Sequence, residues 1–361
     1  MINFTKKPLL NNDLPKEISK FITDELTNYI VIKDGHVLIK NLSESYEDVE
    51  IKTAEYSKDR LVYKQYGNLF ETEDEALKYN YEETNSGLLI HVPKGFAVKD
   101  PLHVFYVQEN EDLVNNTFII LETSSELNYF EYLYNMNPCH INFVSNSILK
   151  QNSKLNYTGI SKLTAKAVAT VNRNSYIKRY ANAEYNVAEI NDATIDSNTT
   201  IKLLEEYAVG TTKTVAITSL EQEARFTQLV EHKAPDTEGY IDNYGVSNNN
   251  SILVFEGIGK INKNMKRSIA RQSNKGIVLG INSRLDANPL LLIDEFDVIA
   301  SHGAAIGKMD DEQLYYLMSR GLTLKNAERL IISGFLSPVL KKLSTDELKE
   351  DFVLTVENKT L

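Results

Sequence analysis

Side chains able to bind metals or move protons are scarce in this sequence, which has six histidines and one cysteine in 361 residues. Two histidine segments stand out: His232-Lys233-Ala234-Pro235-Asp236-Thr237 and Ser301-His302-Gly303-Ala304. An imidazole beside a small residue at a strand end can ligate a metal or shuttle a proton. Taken alone, each also reads as a structural histidine packed in a core. Cys139 precedes His140, but neighbours on a strand point to opposite faces, so joint ligation is awkward and Cys139 reads as a structural thiol. Asp294, Glu295 and Asp297 cluster ahead of His302. Clustered acids on a β-helix can cleave polysaccharides, although a solvated acidic edge is the plainer reading.

Other chemistries lack their residues. Gly303-Ala304-Ala305-Ile306-Gly307-Lys308-Met309 has the wrong spacing for a P-loop and lacks its hydroxyl; Gly257 and Gly259 lack the third glycine of a dinucleotide fingerprint. No histidine pair stands at i,i+4, there is no Cys-x-x-Cys, and no Gly-x-Ser-x-Gly elbow. One cysteine forms no intrachain disulfide and no four-thiolate site, which fits a reducing compartment. Lys+Arg number 39 against 50 Asp+Glu, a net charge of −11, so the chain's field does not draw nucleic acid or an anionic membrane. No secretory leader or bilayer-length apolar run is evident, and a cytoplasmic location is expected.

Three textures follow along the chain. Residues 1–90 are mixed. Leu14 to Ile30 reads as a helix, with Ile18, Phe21, Ile22, Leu26 and Ile30 at helical spacing; Asp34-Gly35 marks a turn between two strands; Thr72 with Glu75 suggests a capped helix to Tyr79. Residues 91–305 alternate with period two in short strands, including Leu155-Tyr157-Gly159 and Ala181-Ala183-Tyr185-Val187. That rhythm suits a sandwich, barrel or solenoid. Small inward residues and few Asn-Gly or Asp-Gly hairpin turns favour a β-helix over a sandwich. Residues 306–361 read as helices: one from the Asp310/Gln313 capping box to Gly321, one from Thr323 to Gly334, and one opened by Ser344 with Glu347. They suit either packing on the domain's end or a docking surface.

With these residues in view, the chain resembles the SufB/SufD family of the SUF iron–sulfur cluster machinery. The resemblance rests on Asp297-Val-Ile-Ala-Ser-His-Gly-Ala-Ala-Ile-Gly307, Asp311-Glu-Gln-Leu-Tyr-Tyr-Leu-Met-Ser-Arg-Gly321 and Ala327 to Phe335. His91 to Val107, His232 to Thr237 and Val254-Phe-Glu-Gly257 match in order, so it covers roughly residues 90 to 340. Ser301-His302-Gly303 looks like the SufD form. The strand from Arg271 to Gly276 has Ser273 and no cysteine, unlike SufB, and Ala300 stands where many SufD chains have a thiol.

The resemblance implies a mainly β fold, a right-handed parallel β-helix flanked by an N-terminal α/β part and C-terminal helices. It implies a non-catalytic scaffold subunit that pairs with SufB through its last strands and binds the SufC ATPase through its C-terminal helices. A homodimer is the alternative state in isolation. No cofactor is expected to be held tightly by this subunit alone; iron or a nascent iron–sulfur cluster would pass transiently through the SufB junction. His302 becomes the candidate ligand, shared with SufB, and His232 a weaker one. Tyr315, Tyr316, Leu317 and Arg320 become candidate partner contacts, being aromatic, Leu and Arg residues on one helix. Competing readings are a SufB-like principal scaffold acting as a homodimer, a β-helix carbohydrate enzyme and a generic solenoid interaction module.

Overall fold

A computed structural model describes residues 14–53, 65–70, 74–110 and 112–360. The strands among them are β1 (Tyr29–Lys33), β2 (His36–Asn41), β3 (Glu50–Thr53), β4 (Leu88–Val92), β5 (Ala97–Gln108), β6 (Leu113–Leu121), β7 (Glu126–Asn135), β8 (Cys139–Leu149), β9 (Lys154–Lys162), β10 (Ala167–Ile177), β11 (Asn182–Glu189), β12 (Thr194–Leu203), β13 (Val209–Thr218), β14 (Glu223–His232), β15 (Glu238–Ser247), β16 (Ile252–Ile261), β17 (Ile269–Val278), β18 (Arg284–Ile293) and β19 (Ile299–Gly307). The helices are α1 (Lys16–Ser19), α2 (Glu75–Glu83), α3 (Asp311–Ser319), α4 (Leu324–Phe335), α5 (Ser337–Leu340) and α6 (Asp346–Thr360).

From β4 onward successive strands alternate between two sheets, and each pairs in parallel with the strand two places on. This is a parallel β-solenoid, the architecture favoured over a sandwich. The first sheet runs β19-β17-β15-β13-β11-β9-β7-β5-β1-β2 and the second runs β18-β16-β14-β12-β10-β8-β6-β4-β3. Stacking in register turns the coil length into a side-chain ladder. Tyr129 sits on Tyr157, and Tyr157 on Tyr185, with ring centroids 5.0 and 4.6 Å apart. Apolar residues such as these, Val171, Phe226 and Phe255 fill the space between the sheets.

The corners explain the missing turn signals. Ser124, Asn152, Tyr180, Tyr207, Asp236 and Arg267 each hold a left-handed backbone, with φ between 57° and 63°. Such a backbone costs a non-glycine residue roughly 1 kcal/mol or more. It persists here because each strained N–H donates to a carbonyl of the following coil, as in Asn152 to Arg179 O (2.9 Å) and Asp236 to Lys266 O (2.9 Å).

The first sheet has a covered region on its outer face as well as its inner one. Its outer face carries Phe105, Tyr132, Ile160, Ala188, Val215 and Ile217 beneath residues of the N-terminal segment and of α4, α5 and α6. The C-terminal helices thus lie along the solenoid's flank. Asp351 on α6 fixes this packing, accepting from Lys20 Nζ (2.6 Å), Lys162 Nζ (2.7 Å) and the Tyr132 hydroxyl (3.1 Å).

Several local expectations change. The helix expected from Leu14 to Ile30 is a single turn, α1, and Ile30 belongs to β1. Ile30-Val31-Ile32 is a β-branched run that pairs with β5, and this outweighs the helical spacing. Ile18 and Phe21 are buried nonetheless, with Phe21 stacked 6.0 Å from Phe105. Asp34-Gly35 does turn the β1–β2 hairpin, both residues having positive φ. Asp74 caps α2, accepting from Ala76 N (2.8 Å) and Leu77 N (3.1 Å); Thr72 lies outside the described residues. Helix α4 runs one residue past Gly334. Thr345 rather than Ser344 caps α6, accepting from Leu348 N (3.4 Å).

The interior also holds charge. Arg173 is fully buried, and its guanidinium donates to Glu131 Oε1 (2.9 Å) and Glu189 Oε1 (3.3 Å). The Tyr157 hydroxyl donates to Glu131, and the Ser197 hydroxyl to Glu189 (2.8 Å). Gly159 makes room: a Cβ there would lie 3.3 Å from Arg173 Nε. Burial raises the Glu131 pKa against the pull of Arg173. Removing the cation strands two buried carboxylates, so Arg173→Ala is expected to cost about 3–5 kcal/mol of unfolding free energy, read from the urea midpoint at neutral pH.

Candidate functional site

The chemistry-bearing residues at the C-terminal end sit where the coil stops. β19 pairs with β17 on one side, and the other edge has no strand partner among the described residues. Every residue of β19 except the half-buried Ala300 is exposed. His302 stands in register on Gln272, which stands on Ile241, and the column continues through Thr212 to Tyr185. Gln272 and Tyr185 face the interior, so His302 occupies the inward phase of a coil with no strand stacked above it among the described residues. Nothing lies within 4 Å of the place a Cβ would take on Gly303, which leaves the strand open to a second backbone.

Beneath His302, Gln272 Nε2 donates to Leu290 O (2.8 Å), while its buried Oε1 has no partner. Gly257 and Gly259 leave space for this side chain: a Cβ would come within 2.8 Å of Oε1 at Gly257 and 3.0 Å of Nε2 at Gly259. The last coil also exposes Leu290, Leu292, Ile299 and Ile306, and Phe296 in the turn between them. An apolar strand edge left open in this way is a template for another chain. Ser273 stands beside Gly303 on the opposite, outward phase. Ala300 lies on Ala270, so neither position offers a thiolate.

Of the acids ahead of His302, Glu295 has structural work. Glu295 accepts the backbone N–H groups of Phe296 (2.9 Å), Asp297 (3.3 Å) and Asn264 (2.9 Å), which hold its carboxyl below the usual range. Among the described residues no group of three His, Cys, Asp or Glu side chains could hold a metal ion. His302 supplies one imidazole, so iron or a cluster here would need its other donors from a second chain.

Sequence brings His302 and the C-terminal aromatic residues close together, and the fold separates their roles. Asp310 caps α3, accepting from Glu312 N (2.9 Å), and no residue of α3 is buried. Tyr315 and Tyr316 are 76% and 56% exposed, and the Arg320 guanidinium lies 5.2 Å from the Tyr316 ring centre. Leu317 turns the other way, half-buried in a groove of about 560 Å³ with Ile277, Met309, Leu330 and Phe335. The helix therefore carries a solvent-facing aromatic and Arg patch and does not plug the open coil.

His232 and Cys139 lie inside the solenoid. The His232 ring is fully buried; Nδ1 bonds the Thr237 hydroxyl (2.7 Å) and Nε2 has no partner. Burial pushes its pKa down to about 4. Burial likewise pushes the Cys139 thiol up to about 11, leaving it protonated and unreactive. His140 is exposed on the opposite face beside Asp112, so the two do not act together. Two arrangements escaped the sequence reading. One is the Arg173 network, whose signal was charge at inward positions of alternating strands. The other joins distant segments: the Ser344 hydroxyl bonds His103 Nε2 (2.6 Å), while His103 Nδ1 donates to Asn28 O (3.2 Å). Burial drives His103 to about 4 as well.

Residues 104–335 match the family model described as "SUF system FeS cluster assembly, SufBD core domain". The chain is 37% identical over 281 residues to the iron–sulfur cluster assembly protein SufD of Bacillus subtilis, covering 76% of this chain and 64% of that protein. An iron–sulfur cluster assembly SufBD family protein of Staphylococcus epidermidis is 26% identical over 270 residues, covering 72% and 57%. One from Staphylococcus saprophyticus is 24% identical over 350 residues, covering 91% and 72%. The chain thus spans less than two thirds of the first two relatives.

The buried imidazoles set a pH response. At neutral pH both histidines are uncharged, folded or unfolded. Below about 6.5 the unfolded chain takes up protons that the folded chain refuses until about 4. Stability should therefore fall with pH across that window, by about 2 kcal/mol per histidine at pH 5. The check is the urea midpoint at pH 7.5 and 5: His232→Gln should shrink the difference by about half the histidine share. An unchanged difference would show that His232 titrates normally.

Proposed function

The chain belongs to the SufB/SufD family of the SUF system, is most like SufD, and on that premise we propose that it is a SufD-type scaffold subunit in iron–sulfur cluster assembly. The observation that carries this is the uncapped last coil, with His302 on its inward phase, a bare strand edge and exposed apolar neighbours. A cysteine-bearing paralogue of the SufB kind adds its own last strands there, hydrogen-bonding to the free edge and covering Leu290, Leu292 and Ile306. Its thiolate or carboxylate donors then complete a site to which this chain contributes one neutral imidazole. Imidazole suits iron, and the bond weakens as the ring protonates.

The subunit does no chemistry of its own in this reading. The sequence lacks a P-loop, so ATP is hydrolysed by a SufC-type ATPase that docks on α3, where Tyr315, Tyr316 and Arg320 form the exposed anchor and Leu317 seats the helix. Iron and sulfide are cargo, present transiently at the junction. Such machinery is cytoplasmic; among the described residues no helix is long and apolar enough to cross a membrane.

The test is His302→Ala in the complex reconstituted with its paralogue and ATPase, supplied with iron and sulfide. The complex should elute at its normal size, because the replaced side chain is exposed, while cluster absorbance falls at least about tenfold. Undiminished cluster formation in an intact complex would end the ligand role.

A further inference from the structure

We propose that the cleft between the outer face of the ten-stranded sheet and the segment joining α5 to α6 binds a small phosphorylated molecule. It is separate from the open coil and from α3, and it does not depend on the assembly role. The cleft holds about 510 Å³, and four lysines line it: Lys99, Lys154, Lys341 and Lys342. In a chain of net charge −11 this is a local reversal of sign. Two of the four charges are answered. Lys154 pairs with Glu126 (2.9 Å), and Lys342 with Glu184 (3.1 Å), the one acid in the lining, which Lys213 also holds (2.8 Å). Lys99 and Lys341 have no acidic partner among the described residues. Two free ammonium groups match the two charges of a phosphate monoester.

The lining asks for more than charge. Asn186 is fully buried, yet neither its Nδ2 nor its Oδ1 has a hydrogen-bond partner. A buried amide left wholly unpaired is rare in a folded protein and calls for a ligand or an ordered water. Nδ2 can donate to a phosphate oxygen, and Oδ1 can accept from a hydroxyl on the same molecule. Ser344, also in the lining, points to the same need. His103 Nδ1 donates to Asn28 O, so Nε2 must accept the Ser344 proton, and Ser344 Oγ, spent as a donor, can only accept from a ligand. Donors for an anion and acceptors for a hydroxyl together describe a phosphorylated polyol.

The experiment is titration calorimetry of the full chain with ribose 5-phosphate at low ionic strength, where screening of the lysines is least. Saturable one-site binding is expected. It should weaken at least about tenfold in the double variant Lys99→Ala/Lys341→Ala, whose positions are exposed and carry no packing, and again in Asn186→Ala. Inorganic phosphate should bind more weakly than ribose 5-phosphate. No saturable heat, or binding undiminished in the lysine double variant, would overturn the site. Inorganic phosphate binding as tightly would overturn the assignment of Asn186 and Ser344 to ligand hydroxyls.

Discussion

Parallel pairing from coil to coil is the constraint on which the rest of the structure depends. A strand in this fold satisfies its N–H and C=O groups on the coil before and the coil after, at the spacing of about 4.8 Å set by the backbone. The same spacing stacks Tyr129, Tyr157 and Tyr185 and brings the strained corner residues within reach of carbonyls on the next coil. A stack of this kind cannot end without leaving a row of unmet hydrogen bonds. At the N-terminal end the sheets finish on β2 and β3, which pair antiparallel with β1 and β4. At the other end β19 is left bare, and there the chain presents His302.

The helices do not relieve that end. They cover the outer face of the first sheet, and Asp351 ties α6 to both the N-terminal segment and the sheet through Lys20, Lys162 and Tyr132. The solenoid is therefore a rod braced along one flank. Bracing matters because charge is buried inside it: Arg173 is shared by Glu131 and Glu189, an arrangement that stabilises only while every member is held in place. α3, by contrast, has no fully buried residue and rests on the rod only through its Leu317 side, which leaves its aromatic face available.

How much of this could be read from sequence depended on whether the signal was local. Period-two alternation in Leu155-Tyr157-Gly159 and Ala181-Ala183-Tyr185 is local, and the solenoid strands were legible from it. So were the Asp34-Gly35 turn and the caps at Asp310 and Thr323. The coil length was hidden, because its corners use single left-handed residues such as Tyr180 and Arg267 in place of glycine. Ile30-Val31-Ile32 carried helical spacing and strand chemistry at once, and only pairing with β5 decided between them. Arg173 could not be matched to its two acids, Glu131 and Glu189, because they come from other coils. His302 could be singled out from its motif. That it tops an open column over Gln272 required the register, which no single strand contains.

The central claim is that the free edge of β19 is completed by strand addition from a paralogous chain. The direct measurement is amide hydrogen exchange across Ile299–Gly307, in this chain alone and in the complex. The account predicts fast exchange of the edge-facing amides in isolation and strong protection on alternate residues of β19 once the paralogue is bound. Formation of the complex with β19 exchange unchanged would contradict it.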